Sequence, residues 1–196
     1  MGKARLEAFS DGVIAVIITI MVLEMKVPRG DEPGALAPLI PVFVSYVLSY
    51  VYVGIYWNNH HHMLHAIRTV SGPILWGNLH LLFWLSLIPF VTGWMGENHF
   101  AQIPVALYGG VLLLSAISYS ILVRLLIKHE GTDSVLGSAV GNDFKGNVSV
   151  VIYVAAIALS FVNSWIALGL YFLVALLWFV PDRRVERMLD RRTHGR

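Results

Sequence analysis

The sequence has 196 residues, no cysteine, and charged side chains at only 13% of its positions. Without cysteine there can be no disulfide bridge, thiolate metal site or cysteine nucleophile. Water-soluble domains are about 45–50% apolar and about 25% charged, whereas this chain is 57% apolar. Such a composition also argues against a disordered chain. We therefore expect an all-α membrane protein that forms a single domain over residues 1–196.

Several sequence signatures of enzymes and nucleotide-binding proteins are also missing. The chain has no Walker motif, dinucleotide-binding fingerprint or nucleophile elbow, and no Thr-Val-Gly-Tyr-Gly filter loop. The formal net charge is only +2, which is too small to indicate a nucleic-acid partner. We expect neither an enzyme nor a nucleic-acid-binding protein.

Long uncharged runs predict the membrane spans. A helix rises about 1.5 Å per residue and the hydrocarbon core is about 30 Å thick, so one crossing needs roughly 20 apolar residues. The last uncharged run, Gly146–Val180, is too long for one crossing, and Asn163-Ser164 supplies a polar turn near its middle. The prediction is six spans, at approximately residues 6–26, 36–58, 70–94, 101–124, 147–162 and 165–181.

The distribution of basic residues predicts the orientation of these spans. With the amino terminus in the cytoplasm, twelve of the fourteen Lys and Arg residues lie in inner segments, and only Lys26 and Arg29 lie outside. This asymmetry follows the positive-inside rule and predicts cytoplasmic termini in the cell membrane. The arginine-rich tail after Pro181 is suited to contact anionic membrane lipid.

The first predicted helix carries an acidic group that lipid would not tolerate. Asp11 lies at the start of the helix's apolar core. Inserting a carboxylate into a membrane span costs about 2.5–3.5 kcal/mol, so the helix must face protein or water at this position. Val16, Thr19 and Leu23 share a different face, at helical spacings of three and four residues. On periodicity alone we favour ordinary core packing for this apolar stripe.

Polar residues near the predicted cytoplasmic ends of the first three spans indicate a hydrogen-bonded network, because polar groups in apolar surroundings need partners. We favour a structural role over direct chemistry. Its predicted members are Arg5, Phe9, Ser10, Asp11, Asn58, His61, Trp76 and His80.

The same histidines permit other roles. His61 and His65 are one helical turn apart and could bind zinc, but the Glu of the zincin pattern is missing. A role in pH sensing is compatible with their chemistry and is not specific to this pattern.

The element Arg5-x-x-x-Phe9-Ser10-Asp11-Gly12, followed by an apolar helix, resembles the signature of the transmembrane protein 175 family, the lysosomal and prokaryotic potassium channels. Tyr56-Trp57-x-x-His60-His61 and the closing Pro181-Asp-Arg-Arg support a resemblance to the short, six-span prokaryotic form.

The resemblance implies a homotetramer with a central pore lined by the first helix, without a re-entrant loop. It places Val16, Thr19 and Leu23 in the pore, with apolar side chains forming the constriction and Thr19 as a hydroxyl ring that transient potassium contacts. It implies modest potassium-over-sodium selectivity, with potassium as permeant ion and no cofactor or bound metal.

Three alternatives remain open from the residues. A cation- or proton-coupled secondary transporter would use Asp11, Glu24 and the histidines, although the chain lacks inverted repeats. A membrane metalloenzyme would use the eight histidines. A proton leak through the same pore is the third.

Overall fold

The computed structural model describes residues 2–67, 69–131, 134, 137 and 144–179, and these residues form helices and connecting turns without a strand. A short 3-10 helix, Pro33–Leu39, leads directly into the second α-helix. The α-helices are α1 (Lys3–Leu23), α2 (Ile40–His65), α3 (Gly72–Ser86), α4 (Ile88–Glu97), α5 (Gln102–Glu130), α6 (Phe144–Ser160) and α7 (Ser164–Phe179).

The helices confirm the all-α prediction and correspond to six apolar segments. Four segments are long and apolar enough to cross a bilayer: α1, the 3-10 helix with α2, α3 with α4, and α5. The shorter apolar helices α6 and α7 are separated at the predicted Asn163-Ser164 turn, where the Asn163 side-chain oxygen accepts a hydrogen bond from the Trp165 amide at 2.9 Å. Most of the segment between α5 and α6, and the tail after Phe179, lie outside the described residues.

The third predicted span is divided in two, which the sequence analysis did not anticipate. Pro89 has no amide hydrogen to continue the helix, and the chain tightens just before it, where the Leu87 amide donates to the Trp84 carbonyl. The Ser86 hydroxyl donates to the Phe83 carbonyl at 2.7 Å in the same turn. The two halves have different neighbours, because α3 packs mainly on α5 and α4 mainly on α2.

Contacts between helix ends show that successive spans run antiparallel. Lys3 Nζ, at the start of α1, donates to the His65 carbonyl at the end of α2. At the opposite end of the bundle, Lys26 Nζ lies 2.8 Å from Glu97 Oε1 at the end of α4. We refer to these two ends of the bundle as the Lys3 end and the Lys26 end.

The later helices continue the same alternation. Thr69 Oγ1, before α3, lies 2.9 Å from His129 Nε2 near the end of α5, which places both at the Lys3 end. Gln102 Nε2, at the start of α5, donates to the Phe161 carbonyl after α6, and both lie at the Lys26 end. Successive spans from α1 to α6 therefore alternate in direction.

The interior of the bundle is unusually rich in hydroxyl groups. Along α2 the buried stripe is polar at successive turns: Ser45, Ser49, Tyr52, Tyr56 and His60.

Hydrogen bonds between helices use these groups. The Ser49 hydroxyl lies 2.7 Å from the Thr92 hydroxyl of α4 and 3.0 Å from the Tyr108 hydroxyl of α5. The Tyr52 hydroxyl donates to the Tyr171 carbonyl of α7 at 2.6 Å. In a bilayer the hydrophobic effect does not draw helices together, so close packing and interhelical hydrogen bonds such as these hold the bundle.

One glycine makes this packing possible. The Tyr171 hydroxyl donates to the Val105 carbonyl at 3.2 Å, and a Cβ on Gly109 would overlap that hydroxyl. A Cβ on the adjacent Gly110 would meet no atom within 4 Å.

We expect Gly109→Ala to lower the free energy of unfolding by about 1–3 kcal/mol, because the added methyl group overpacks the α5–α7 contact. Gly110→Ala is the matched control, and it should be neutral or slightly stabilising through helix propensity. Thermal unfolding in detergent, followed by loss of the folded peak in size-exclusion chromatography, measures both. Equal stability of the two variants would contradict the packing argument.

Candidate pore-lining helix and its hydrogen-bond network

Helix α1 has one face in the subunit core and another that the subunit leaves uncovered. It packs on α2, α3 and α4. Its buried residues recur every three or four positions: Leu6, Ser10, Ile14, Ile17 and Met21. The uncovered face includes the stripe predicted from the sequence, with Val16 55% exposed, Leu23 79% exposed and Thr19 also exposed. The interpretation of this stripe as core packing within the subunit is therefore wrong.

The exposed stripe offers two apolar side chains and one hydroxyl. The Thr19 hydroxyl donates to the Val16 carbonyl one turn earlier, at 2.8 Å. Its hydrogen is thus committed to the backbone, while the lone pairs of its oxygen point away from that bond and can accept contacts from a cation. Phe9 continues the exposed face toward the Lys3 end.

A buried chain of side chains fixes α1 to its neighbours. Asn78 Nδ2 of α3 donates to Ser10 Oγ at 3.0 Å, and Ser10 Oγ donates to the Leu6 carbonyl at 2.9 Å. Asn78 Oδ1 lies 2.7 Å from His60 Nε2 of α2. Because an amide oxygen only accepts, this contact assigns the hydrogen to Nε2 of the imidazole. Ser10, Asn78 and His60 are all buried, and they join three helices.

Asp11 also joins α1 to α2, but through a different residue of α2. Trp57 Nε1 of α2 donates to Asp11 Oδ1 at 3.0 Å, and this pair is exposed on the subunit surface. The indole ring also stacks on His61, with ring centroids 6.0 Å apart. A carboxylate near the start of the span thus has the hydrogen-bond donor that its insertion cost requires.

Hydrogen bonds join α1, α2 and α3, but most of the residues that form these bonds are neighbours of the predicted network members. Ser10 and Asp11 take part as expected. His80 instead accepts a hydrogen bond from Trp84 Nε1 within its own helix, at 3.0 Å. Trp76 is 75% exposed.

Three other predicted members also lie outside the buried chain. His61 contacts aromatic rings of its own helix, including His65 at 4.7 Å between centroids. Asn58 lines a surface pocket, and Arg5 is exposed. Helical phase explains the correction: Asn78 precedes His80 by two residues, about 200° around the helix, and only Asn78 turns inward.

Charged groups at the Lys3 end do not form a metal centre. Glu7 Oε1 lies 3.7 Å from His65 Nδ1 and 3.9 Å from Lys3 Nζ. Across the part of the chain that the structure describes, no group of three or more potential ligand side chains is arranged to hold a metal ion. Among the described residues, His61 and His65 therefore have no third side chain placed to complete a zinc site with them.

At the Lys26 end, an exposed salt bridge joins the segment after α1 to the end of α4. The hydrogen bond from Glu97 raises the pKa of the Lys26 amine above its ordinary value. Because this pair is open to water, its contribution to stability is small.

Apolar antiparallel helices, one of them with an uncovered face bearing a hydroxyl, are typical of integral membrane transport proteins. Comparison with known proteins specifies the class as membrane ion channels. The model of the family described as endosomal/lysosomal potassium channel TMEM175 matches residues 5–89. A potassium channel of Chryseobacterium sp. (strain P1-3) is 56% identical over 189 residues, which covers 96% of this chain and 98% of that protein.

A solved structure supports the same assignment. The crystal structure described as a lysosomal potassium-selective channel TMEM175 homolog from Chamaesiphon minutus superposes with a TM-score of 0.79 at 29% identity, covering 92% of this chain and 97% of that one. The human endosomal/lysosomal proton channel TMEM175 is 33% identical over 96 residues, 42% of this chain and 19% of the human protein. The chain belongs to the TMEM175 family, whose members are channels and not enzymes.

We expect Asn78→Leu to destabilise the protein by about 1–3 kcal/mol, because it leaves Ser10 and His60 without their buried partner. His80→Leu, at a predicted but exposed position on the same helix, should change stability by less than about 0.5 kcal/mol. Thermal unfolding of the two purified variants measures the difference. If His80→Leu were the more damaging, the buried chain described above would not be what holds α1.

Proposed function

We propose that the chain is the subunit of a homotetrameric potassium channel in the cell membrane, with a central pore lined by α1 and with both termini in the cytoplasm. The observation that carries the proposal is the divided surface of α1, which is anchored through Ser10 and uncovered at Val16, Thr19 and Leu23. The potassium-channel names of its bacterial relatives support the permeant ion. Potassium is the transported ion, and the proposal needs no cofactor or resident metal.

Charge at the two ends of the bundle supports the orientation. The cations Lys3, Arg5, Arg124, Lys128 and Lys145 lie in the segments at the Lys3 end. The described segments at the Lys26 end hold only Lys26 and Arg29, beside Asp31 and Glu32. The positive-inside rule then assigns the Lys3 end to the cytoplasm.

The chemistry of the stripe supports a hydrophobic constriction with modest selectivity. Rings of Val16 and Leu23, repeated by four-fold symmetry, would bar water and ions unless the pore widens, as in gating by dewetting. A ring of Thr19 oxygens would offset part of the cost of removing water from a cation. Potassium holds its water less strongly than sodium, so this partial dehydration favours potassium.

Val16→Phe tests whether this face lines the pore. The added ring should block a pore lined by four copies of α1 and reduce potassium flux into liposomes at least tenfold. Val154→Phe on α6 is the matched control, because Val154 is 54% exposed and Val16 is 55% exposed, and we expect it to keep the wild-type flux. Equal flux in the two variants would place Val16 on a lipid-facing surface.

Thr19→Val tests the hydroxyl ring without changing the shape of the side chain. We expect potassium current to persist and the potassium-over-sodium permeability ratio to fall toward one, because the valine ring offers no oxygen to a partly dehydrated ion. The reversal potential in a planar bilayer with potassium on one side and sodium on the other gives the ratio. An unchanged reversal potential would remove Thr19 from the selectivity mechanism.

The same recordings separate the channel from a coupled transporter. A channel passes potassium current down its gradient with no counter-ion or proton requirement, whereas a secondary transporter moves its ions in fixed proportion. Flux that stops when the proton gradient is removed would favour the transporter.

A further inference from the structure

A deep apolar groove runs between α2 and α7 on the surface of the subunit. Its volume is about 670 Å³. Phe43, Val47 and Leu48 line its α2 side, and Phe172 and Leu176 line its α7 side. The polar groups of the lining are the Ser45 hydroxyl, which donates to the Pro41 carbonyl, and the indole N–H of Trp165 at the Lys26 end. Such walls do not hold ordered water, which needs two to four polar partners.

At its Lys3 end the groove meets a second pocket of different chemistry. This pocket, of about 260 Å³, shares Val51 and Phe179 with the groove. Its other lining residues include Tyr50 and the side-chain amides of Asn58 and Asn59. Asn59 Nδ2 donates to the Ile55 carbonyl, which leaves its amide oxygen as an acceptor. The combined cavity is therefore apolar along most of its length, with side-chain amides at its Lys3 end.

The length of the groove suits one leaflet of a bilayer. The apolar groove extends along α2 from Phe43 to Val51, which is eight residues or about 12 Å at 1.5 Å per residue. Half of the hydrocarbon core is about 15 Å. An acyl chain that enters the groove at Val51, where the groove joins the Asn58 pocket, can thus lie along its whole length within one leaflet.

The groove faces away from the part of α2 that contacts α1. Trp57 bonds to Asp11 of α1, and Val44 of the groove lies about 140° from Trp57 around the α2 axis. The other wall, α7, packs on α2, α5 and α6. The groove therefore lies on the side of α2 that faces away from α1.

We propose that the α2–α7 groove binds one phospholipid, with an acyl chain along the apolar walls and the polar head at Asn58 and Asn59. Hydrocarbon fills the part of the cavity that water cannot. The side-chain N–H groups of Asn58 and the second Nδ2 hydrogen of Asn59, which the Ile55 bond does not use, donate to the ester and phosphate oxygens. The cation-rich Lys3 end of the bundle lies on the headgroup side. This inference depends only on the membrane-spanning fold, and it holds or fails independently of the proposed ion selectivity.

Gly169 of α7 provides a direct test, because it lines the groove and a Cβ there would meet no atom within 4 Å. Gly169→Phe should occupy the space of the acyl chain without disturbing the helices. Gly110→Phe is the matched control, a glycine of α5 that is equally open and is not among the groove residues. Native mass spectrometry of the protein, after graded detergent washing, counts the phospholipids retained by each subunit.

We expect the wild type and Gly110→Phe to retain at least one phospholipid per subunit under washing that lowers the occupancy of Gly169→Phe at least tenfold. If Gly169→Phe does not fold, Gly54→Phe tests the polar end, since Gly54 lines that pocket and is also open. Equal retention in all variants, or equal loss in the control, overturns the proposal. Dissociation of the oligomer in Gly169→Phe with unchanged lipid retention also overturns it and assigns the groove to a second copy of the chain.

Discussion

The hydrogen bond from Asn78 to Ser10 determines which side of α1 the subunit keeps for itself. At about 100° per residue, Val16, Thr19 and Leu23 lie between about 120° and 180° from Ser10 around the helix axis. Holding Ser10 against α3 therefore turns all three outward. His60 completes the buried chain, so α2 and α3 both constrain the rotation of α1. A helix that carries a functional face on one side needs such a polar anchor on the other, because apolar contacts alone resist rotation poorly in lipid.

Polar contacts also determine how the other helices of the bundle meet. The buried faces of α2, α4 and α5 meet through hydroxyl groups such as Ser49, Thr92 and Tyr108, while their lipid-facing surfaces are apolar. In a bilayer, an apolar helix face gains little from packing on protein instead of lipid, so complementary polar groups specify which surfaces meet. Small residues such as Gly109 allow the approach that these short bonds require.

The sequence predicted the features that depend on length and charge, and missed those that depend on rotation about helix axes. Six spans and the Asn163-Ser164 turn follow from apolar run lengths, and helical spacing isolated the stripe that the structure leaves uncovered. The inward-facing residues of α2 and α3 could not be assigned in this way. Most residues of both helices are apolar, and the few polar residues are spread over several faces of each helix. The predicted members on these helices therefore included His80 and His61, one or two residues from Asn78 and His60, which make the buried contacts. Pro89 was the available signal for the division of the third span.

That division has a mechanical consequence. The α3 half holds α1 through Asn78, and the α4 half packs on α1 and also bonds through Glu97 to Lys26, three residues beyond the end of that helix. Between the halves, the missing amide hydrogen of Pro89 removes one rung of the helical ladder, so flexing costs less there than within an unbroken helix. The third span thus contacts α1 through two halves that are joined at a weakened point, and bending at Pro89 would change the angle between these two contacts.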